Sequence, residues 1–170
     1  ANDAGLGVCF NALSTGRGRP GVPVHILLRG ILDSRTLSDA VQTVALADRA
    51  SSANFLLGTS EGEIIDIEAC PEDFWVFYAE RGYLAHTNHF TAPNLLCRVP
   101  DRGKTILPDT FQRLGRIDAL LSASEGCVAS FTNARTSVSL TSSRSRTNAS
   151  GSGAGAIAAS YSPGARVRSA

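Results

Sequence analysis

At 170 residues and 43% hydrophobic, the chain is long enough for one domain with its own core and has no apolar run of membrane-spanning length. One soluble domain is expected, without a membrane partner. The formal net charge of +1 conceals an asymmetry: with all 15 acidic and 11 of the 16 basic residues, positions 1–125 carry −4, and the remaining positions carry +5.

Methionine is absent, and Ala1-Asn2-Asp3-Ala4-Gly5 has neither the basic nor the apolar region of a signal peptide. Ala1 is therefore read as following a removed segment, or as the start of a fragment. Cys9, Cys70, Cys97 and Cys127 lack zinc-ribbon spacing and sit mostly in apolar contexts, so reduced thiols and a cytoplasmic location are expected.

Leu6 to Leu13 alternates small and apolar residues around Asn11 and reads as a buried strand, ended by Gly16-Arg17-Gly18-Arg19-Pro20-Gly21. Pro23 suits the first turn of a helix whose stripe is Ile26, Leu27, Leu28, Ile31 and Leu32. A second helix follows, with Thr36 and Asp39 as its capping box and Leu37, Val41, Val44 and Ala45 at helical spacing.

From Asn54 the period changes. Phe55-Leu56-Leu57, Ile64-Ile65-Asp66-Ile67, Phe74-Trp75-Val76-Phe77-Tyr78 and Tyr83-Leu84-Ala85 are short β-rich runs, separated by hairpin signals at Ser60-Glu61-Gly62 and Arg81-Gly82. An antiparallel meander is predicted, with His86-Thr87-Asn88-His89-Phe90 at the exit of its last strand. A loop rich in Pro and charge runs to Pro108, and Thr110 to Ala123 then forms a helix with Phe111, Leu114, Ile117, Leu120 and Leu121 on one face.

Beyond Gly126 there is no Asp, Glu or Lys, and Ser, Ala, Gly, Thr and Arg dominate. The organisation predicted is a domain over residues 1–128 and a disordered Ser/Ala/Gly/Arg-rich tail over 129–170, which buries too little apolar surface to offset its ordering entropy. With 15 arginines against the single Lys104, a frame-shifted tail from a GC-rich gene is one reading of that change. The element order fits an α+β domain with helices packed on an antiparallel sheet, not a parallel βαβ fold.

An Asn carboxamide offers N–H donors that never ionise, so Asn11 and Asn88 can each stabilise an oxyanion or bridge a strand end to a loop. His86 and His89, at i and i+3, are open to three readings: metal ligands, a general base, or groups that orient the loop around Asn88. His25 is a further metal or base candidate. No acidic or thiol residue stands at helpful metal spacing. No cysteine stands out as a nucleophile from its context.

The ordered series Asn2-Asp3-Ala4-Gly5-Leu6-Gly7-Val8, Asn11-Ala12-Leu13, Gly21-Val22-Pro23, His25, Leu28-Arg29, Glu68 before Pro71 and His86-Thr87-Asn88-His89 resembles the isopenicillin N acyltransferase family of cysteine N-terminal nucleophile hydrolases over about residues 2–90. The resemblance implies an αββα sandwich, a self-cleaving precursor, and a new N-terminal cysteine that attacks an amide or acyl thioester while its amine serves as base. It assigns Asn88 and Asn11 to the catalytic oxyanion site, His86 and His89 to the substrate-binding loop, and Arg29 and Glu68 to structure.

It also implies that the nucleophile segment of the precursor lies upstream of Ala1, so the chain alone is expected to be inactive. The family's Ser-x-x-Arg element has no convincing counterpart after Ala123, since Ser142-Ser143-Arg144-Ser145-Arg146 lacks a strand pattern. No cofactor is called for; an acyl-coenzyme A would be a substrate, and penicillin chemistry does not follow from the fold. A non-catalytic remnant or binding module stays open beside the enzyme, and RNA binding by the basic tail is a third, weaker reading.

Overall fold

The computed structural model describes residues 1–123 together with Thr132–Asn133 and Ile157–Ser160. Strand β1 (Leu6–Ala12) leads through the Gly/Arg/Pro loop to α1 (Val24–Asp33) and α2 (Leu37–Ala45). Pro23 sits just outside α1 with φ −64°, the value its ring imposes. Thr36 caps α2 as its pattern predicts, its hydroxyl accepting the Asp39 amide at 3.1 Å.

Three strands follow, β2 (Ala53–Thr59), β3 (Ile64–Ala69) and β4 (Phe74–Tyr78), and the sheet order is β1-β2-β3-β4 with every pair antiparallel. The predicted antiparallel sheet with helices packed on it is thus observed. Gly62 at φ +96° takes the left-handed conformation that the β2–β3 turn needs.

The fourth member of the expected meander departs from it. Strand β5 (Tyr83–His86) does not extend the sheet after β4. The chain beyond it forms the short helices α3 (Pro93–Leu96) and α4 (Gly103–Ile106), where a plain loop was expected, then α5 (Thr110–Ala123). Strands β6 (Thr132–Asn133) and β7 (Ile157–Ser160) join β5 in a second, antiparallel sheet ordered β5-β7-β6. Both fall within the segment expected to be disordered; the rest of 129–170, the Ser142–Arg146 run and Cys127 lie outside the described residues.

Strand parity explains the layering. On one face Phe55, Leu57, Ile65, Ile67 and Ala69 pack with Leu27, Ile31, Ala40 and Val44 of the two helices into the main core, each large aliphatic group contributing about 1.5–3 kcal/mol by burial. On the other face Leu56 and Ile64 pack with Cys9, Ala79 and Leu84, so β5 lies across this side of the sheet. Both faces are therefore covered, and all six residues of β3 are buried. A period-two pattern fixes which residues share a face but not which strand pairs with which, and so the expected meander wrongly placed β5 beside β4. Among the described residues no helix is long and apolar enough to cross a membrane.

Candidate functional site

The face of the first sheet that meets β5 is not wholly apolar. Asn11, Asn54, Asp66 and Glu68 alternate with the helix-facing residues and are all buried. Asn11 and Glu68 both pair with Asn54 across the sheet, on one rung. Buried polar groups must find partners, and β5 brings one: His86 Nε2 lies 2.7 Å from Glu68 Oε1.

Donor counting fixes the state of that pair. His86 Nδ1 faces the Thr87 carbonyl at 2.7 Å, which can only accept, and Nε2 faces a carboxylate oxygen that also accepts from the Thr91 amide at 2.7 Å. Glu68 Oε2 takes the Ala92 amide at 3.0 Å. Both ring nitrogens of His86 donate, so the pair is imidazolium and carboxylate. Burial pushes the Glu68 carboxyl up, but the His86 hydrogen bond and charge and the Thr91 and Ala92 donors outweigh it and hold it below its usual value. For His86 burial acts downward, and the Asp66 charge and the Glu68 bond overcome it and raise the imidazole. Asp66, taken out of water by burial, is pushed up to about 6 despite His86 and the Asn54 hydrogen bond. Asn54 Nδ2 donates to Asp66 Oδ1, while Asn54 Oδ1 is buried without a partner among the described residues.

Just past this pair the chain turns through Thr87, Asn88 and His89, all buried, and the first turn of α5 holds it. Thr110 Oγ1 accepts the Asn88 amide at 2.8 Å and donates to Thr87 Oγ1 at 2.9 Å. Thr87 Oγ1 in turn donates to the Thr110 carbonyl at 3.1 Å. With both hydroxyl hydrogens spent, His89 Nδ1, 2.9 Å from Thr110 Oγ1, must be the donor. The ring rests on Phe111 with centroids 4.3 Å apart. Burial, then repulsion from His86, lowers its basicity, so His89 is the neutral partner of a charged His86.

The two predicted asparagines come together. Asn11 Nδ2 donates to the His86 carbonyl at 3.0 Å, and Asn88 Nδ2 donates to the Ala12 carbonyl at 3.0 Å, a reciprocal stitch between the ends of β1 and β5. The orientation of the Asn88 amide is unambiguous, since its Oδ1 accepts from Arg113 Nη2 at 3.1 Å and a guanidinium can only donate. Gly103 lies against the Asn88 carbonyl so closely that a Cβ there would collide with it.

Other sequence candidates lie elsewhere or are occupied. Neither His86 nitrogen is available to a substrate, which makes this residue an organiser of the loop. His25 is exposed on α1, and Arg29 makes an exposed i,i+4 pair with Asp33 at 2.6 Å, worth little to stability. The Cys9 thiol is pushed up by burial, a poor setting for a nucleophile. No cluster of His, Cys, Asp and Glu fit for a metal exists among the described residues.

Sequence reasoning missed Asp66, Asn54, Thr110 and Arg113. Two acids spaced i, i+2 in an apolar strand, Asp66 and Glu68, were a readable sign of a polar patch on one face. Nothing local marks the bonds of Thr110 and Arg113 to Asn88, which span more than 20 residues.

A mixed antiparallel α/β domain that fixes two carboxamides at one strand end is the class defined so far. The family model described as "AAT: Acyl-coenzyme A:6-aminopenicillanic acid acyl-transferase" matches residues 1–164, and the chain belongs to that family. It is 32% identical over 133 residues to the acyl-coenzyme A:6-aminopenicillanic-acid-acyltransferase 40 kDa form of Emericella nidulans, a match covering 76% of this chain and 36% of the relative. The chain thus spans about a third of that relative's length. The family match runs to residue 164, well past residue 90.

Proposed function

We propose that this chain carries the oxyanion-binding part of an acyltransferase or amide hydrolase that works through a cysteine acyl-enzyme, the nucleophile belonging to a segment of the same precursor upstream of Ala1. The substrate class is a small-molecule amide or acyl thioester, in keeping with a relative named for acyl-coenzyme A and 6-aminopenicillanic acid. No cofactor takes part.

The observation that carries the reading is the Asn88 carboxamide. It is held at Oδ1 by Arg113 and at one N–H by Ala12, and the second N–H has no acceptor among the described residues. A donor fixed before the substrate arrives stabilises developing charge without reorganising. Asn11, bonded through Nδ2 to the His86 carbonyl 3.0 Å away, is the second amide at the same strand end.

In the proposed step the cysteine thiol passes its proton to the enzyme's free α-amine, and sulfur bonds to the substrate carbonyl carbon. The carbonyl π electrons move onto oxygen, where the amides meet them. Collapse reforms C=O, breaks the bond to the leaving amine or thiol and returns the proton to it. An acceptor amine or water then takes the acyl group. Helices α1 and α2 on one sheet, the second sheet across its other face, and α5 tied to β5 through Tyr83 and Asp118 at 3.0 Å support an αββα arrangement for this chemistry.

The test is Asn88→Ala in the complete precursor. A fall of about 10²–10³ in kcat with folding intact is expected, and an unchanged kcat overturns the reading. Turnover by the 170-residue chain alone would overturn the upstream nucleophile.

A further inference from the structure

We propose that Arg113 is a positioning residue for the oxyanion donor: it fixes and polarises the Asn88 carboxamide so that the uncommitted N–H donates more strongly. The inference rests on the oxyanion role of Asn88 given above and adds a residue, with a mechanism, to it.

Three observations converge. Arg113 Nη2 donates to Asn88 Oδ1 at 3.1 Å, on the side of the amide opposite its donors. Drawing electron density toward Oδ1 increases the positive character of both Nδ2 hydrogens, because hydrogen bonds in a chain strengthen one another. The bond is charge-assisted and the guanidinium is a fixed planar fork, so it sets direction as well as strength.

Arg113 is itself held. Its Nε donates to Asp109 Oδ2 at 2.8 Å, and its side chain is 18% exposed against 49% for Asp109. The carboxylate orients the fork from the solvent side while the buried end points at Asn88. This is the geometry of a group aimed by another, not of a surface pair formed for its own sake.

The same helix turn also grips the backbone. Thr110, three residues before Arg113, accepts the Asn88 amide at 2.8 Å, and residues three apart share a helix face. One turn of α5 therefore controls both the main chain and the side chain of Asn88, leaving Ala12 to take one N–H at 3.0 Å. Arg113 touches no reacting atom in this scheme; it acts through Asn88.

Kinetics of the complete precursor with Arg113→Gln, Arg113→Lys, Asn88→Ala and the Arg113→Gln/Asn88→Ala double variant test this. Arg113→Gln is expected to lower kcat about 10- to 100-fold with KM within about threefold, and Arg113→Lys, which keeps one charged donor, to recover part of the loss. In the Asn88→Ala background Arg113→Gln should cost almost nothing more, because its target is gone. An undiminished kcat in Arg113→Gln, or the same fold loss with and without Asn88, overturns the proposal. An unchanged kcat in Asn88→Ala overturns the oxyanion reading and this proposal with it, whereas impaired Asn88→Ala beside normal Arg113→Gln overturns only this one.

A second readout needs no turnover. In the ¹⁵N-labelled 170-residue chain the Asn88 Nδ2 protons should move upfield in Arg113→Gln and less so in Arg113→Lys. Nδ2 protons that stay in place in both overturn the polarisation.

Discussion

His86 Nε2 and Glu68 Oε1 meet at 2.7 Å between the two sheets, with side-chain exposures of 1% and 0%. The contact joins β5 to β3, strands that share no ladder, and it makes the loop bearing Asn88 dependent on a buried ion pair. Desolvating two charges is costly and is offset only while both partners and their satellite donors are present. Glu68→Gln removes one charge and strands the other, so it should destabilise the protein by about 3–5 kcal/mol, measured by urea unfolding at pH 7. A loss below about 1 kcal/mol would show that the pair is dispensable.

The pair also sets a window of pH. Glu68, held below its usual value, contributes stability that is present above its unfolded pKa and lost as pH falls through the folded one. His86, raised, contributes stability that is complete below about 6.5 and lost as pH rises through its folded value. Unfolding free energy should therefore be bell-shaped in pH, and Glu68→Gln should flatten both limbs; parallel profiles for the two proteins would contradict the assignment.

Asp66 works in the opposite sense to Glu68. Burial moves its pKa from 3.8 to about 6, so the folded state binds this proton more tightly and loses stability as pH rises from about 4 to 6. One pKa unit corresponds to about 1.4 kcal/mol, which puts the cost of ionising Asp66 near 3 kcal/mol. Asp66→Asn keeps the shape and removes the titration. Its stability relative to wild type should climb with pH and level off above about 6, as read from denaturant midpoints between pH 4 and 8. A pH-independent difference would mean that Asp66 ionises without penalty.

Much of this arrangement was legible from local pattern. The β-rich run Ile64 to Ile67, the turn at Gly62, the Thr36 cap and the helical spacing of Thr110–Ala123 each depend on neighbours within a few residues, and each produced the element expected. Asn88 was singled out because an amide among buried residues needs a partner. What stayed hidden was long-range. That β5 crosses to the opposite face of the sheet follows from Glu68 and Leu56 needing cover there, and that Arg113 meets Asn88 follows from where α5 returns. No spacing in the chain encodes either contact.

Gly103 shows how closely the Asn88 loop is fitted. A methyl group there would run into the Asn88 carbonyl and crowd Asp101 Oδ1 at 3.2 Å. The first obstacle is backbone, which cannot rotate aside. Asp101 Oδ1 also accepts the Gly103 amide at 2.9 Å, and its Oδ2 accepts the Phe90 amide at 3.2 Å, so relief of the clash would disturb both sides of the loop. Gly103→Ala should lower kcat of the complete precursor by about 100-fold through misplacement of Asn88, with a stability loss of about 1–3 kcal/mol. Wild-type kinetics in Gly103→Ala would mean that the loop can shift without moving the donor.

Arg49 offers a test of the helical layer remote from the site. It is 5% exposed, and its Nη1 donates to the carbonyls of Val44 at 2.6 Å and of Ala45 and Ala47 at 3.3 Å, while Nε donates to Cys70 at 2.8 Å. The guanidinium thus satisfies the open end of α2 and ties it to the end of β3, lying over the Phe74 ring at 5.6 Å. A cation at a helix C-terminus is favourable in itself, but the larger effect is that its removal takes the donor from the buried bonds to the Val44 and Cys70 carbonyls, at about 1–3 kcal/mol each. Arg49→Met preserves the apolar stem and should cost about 3 kcal/mol or more, with amide exchange accelerated first in the last turn of α2. Arg49→Lys keeps the charge but cannot reach both α2 and Cys70 with a planar fork, so it should recover only part. Equal stability of the Lys and wild-type proteins would show that charge at the helix end, not the bridge to Cys70, is what matters.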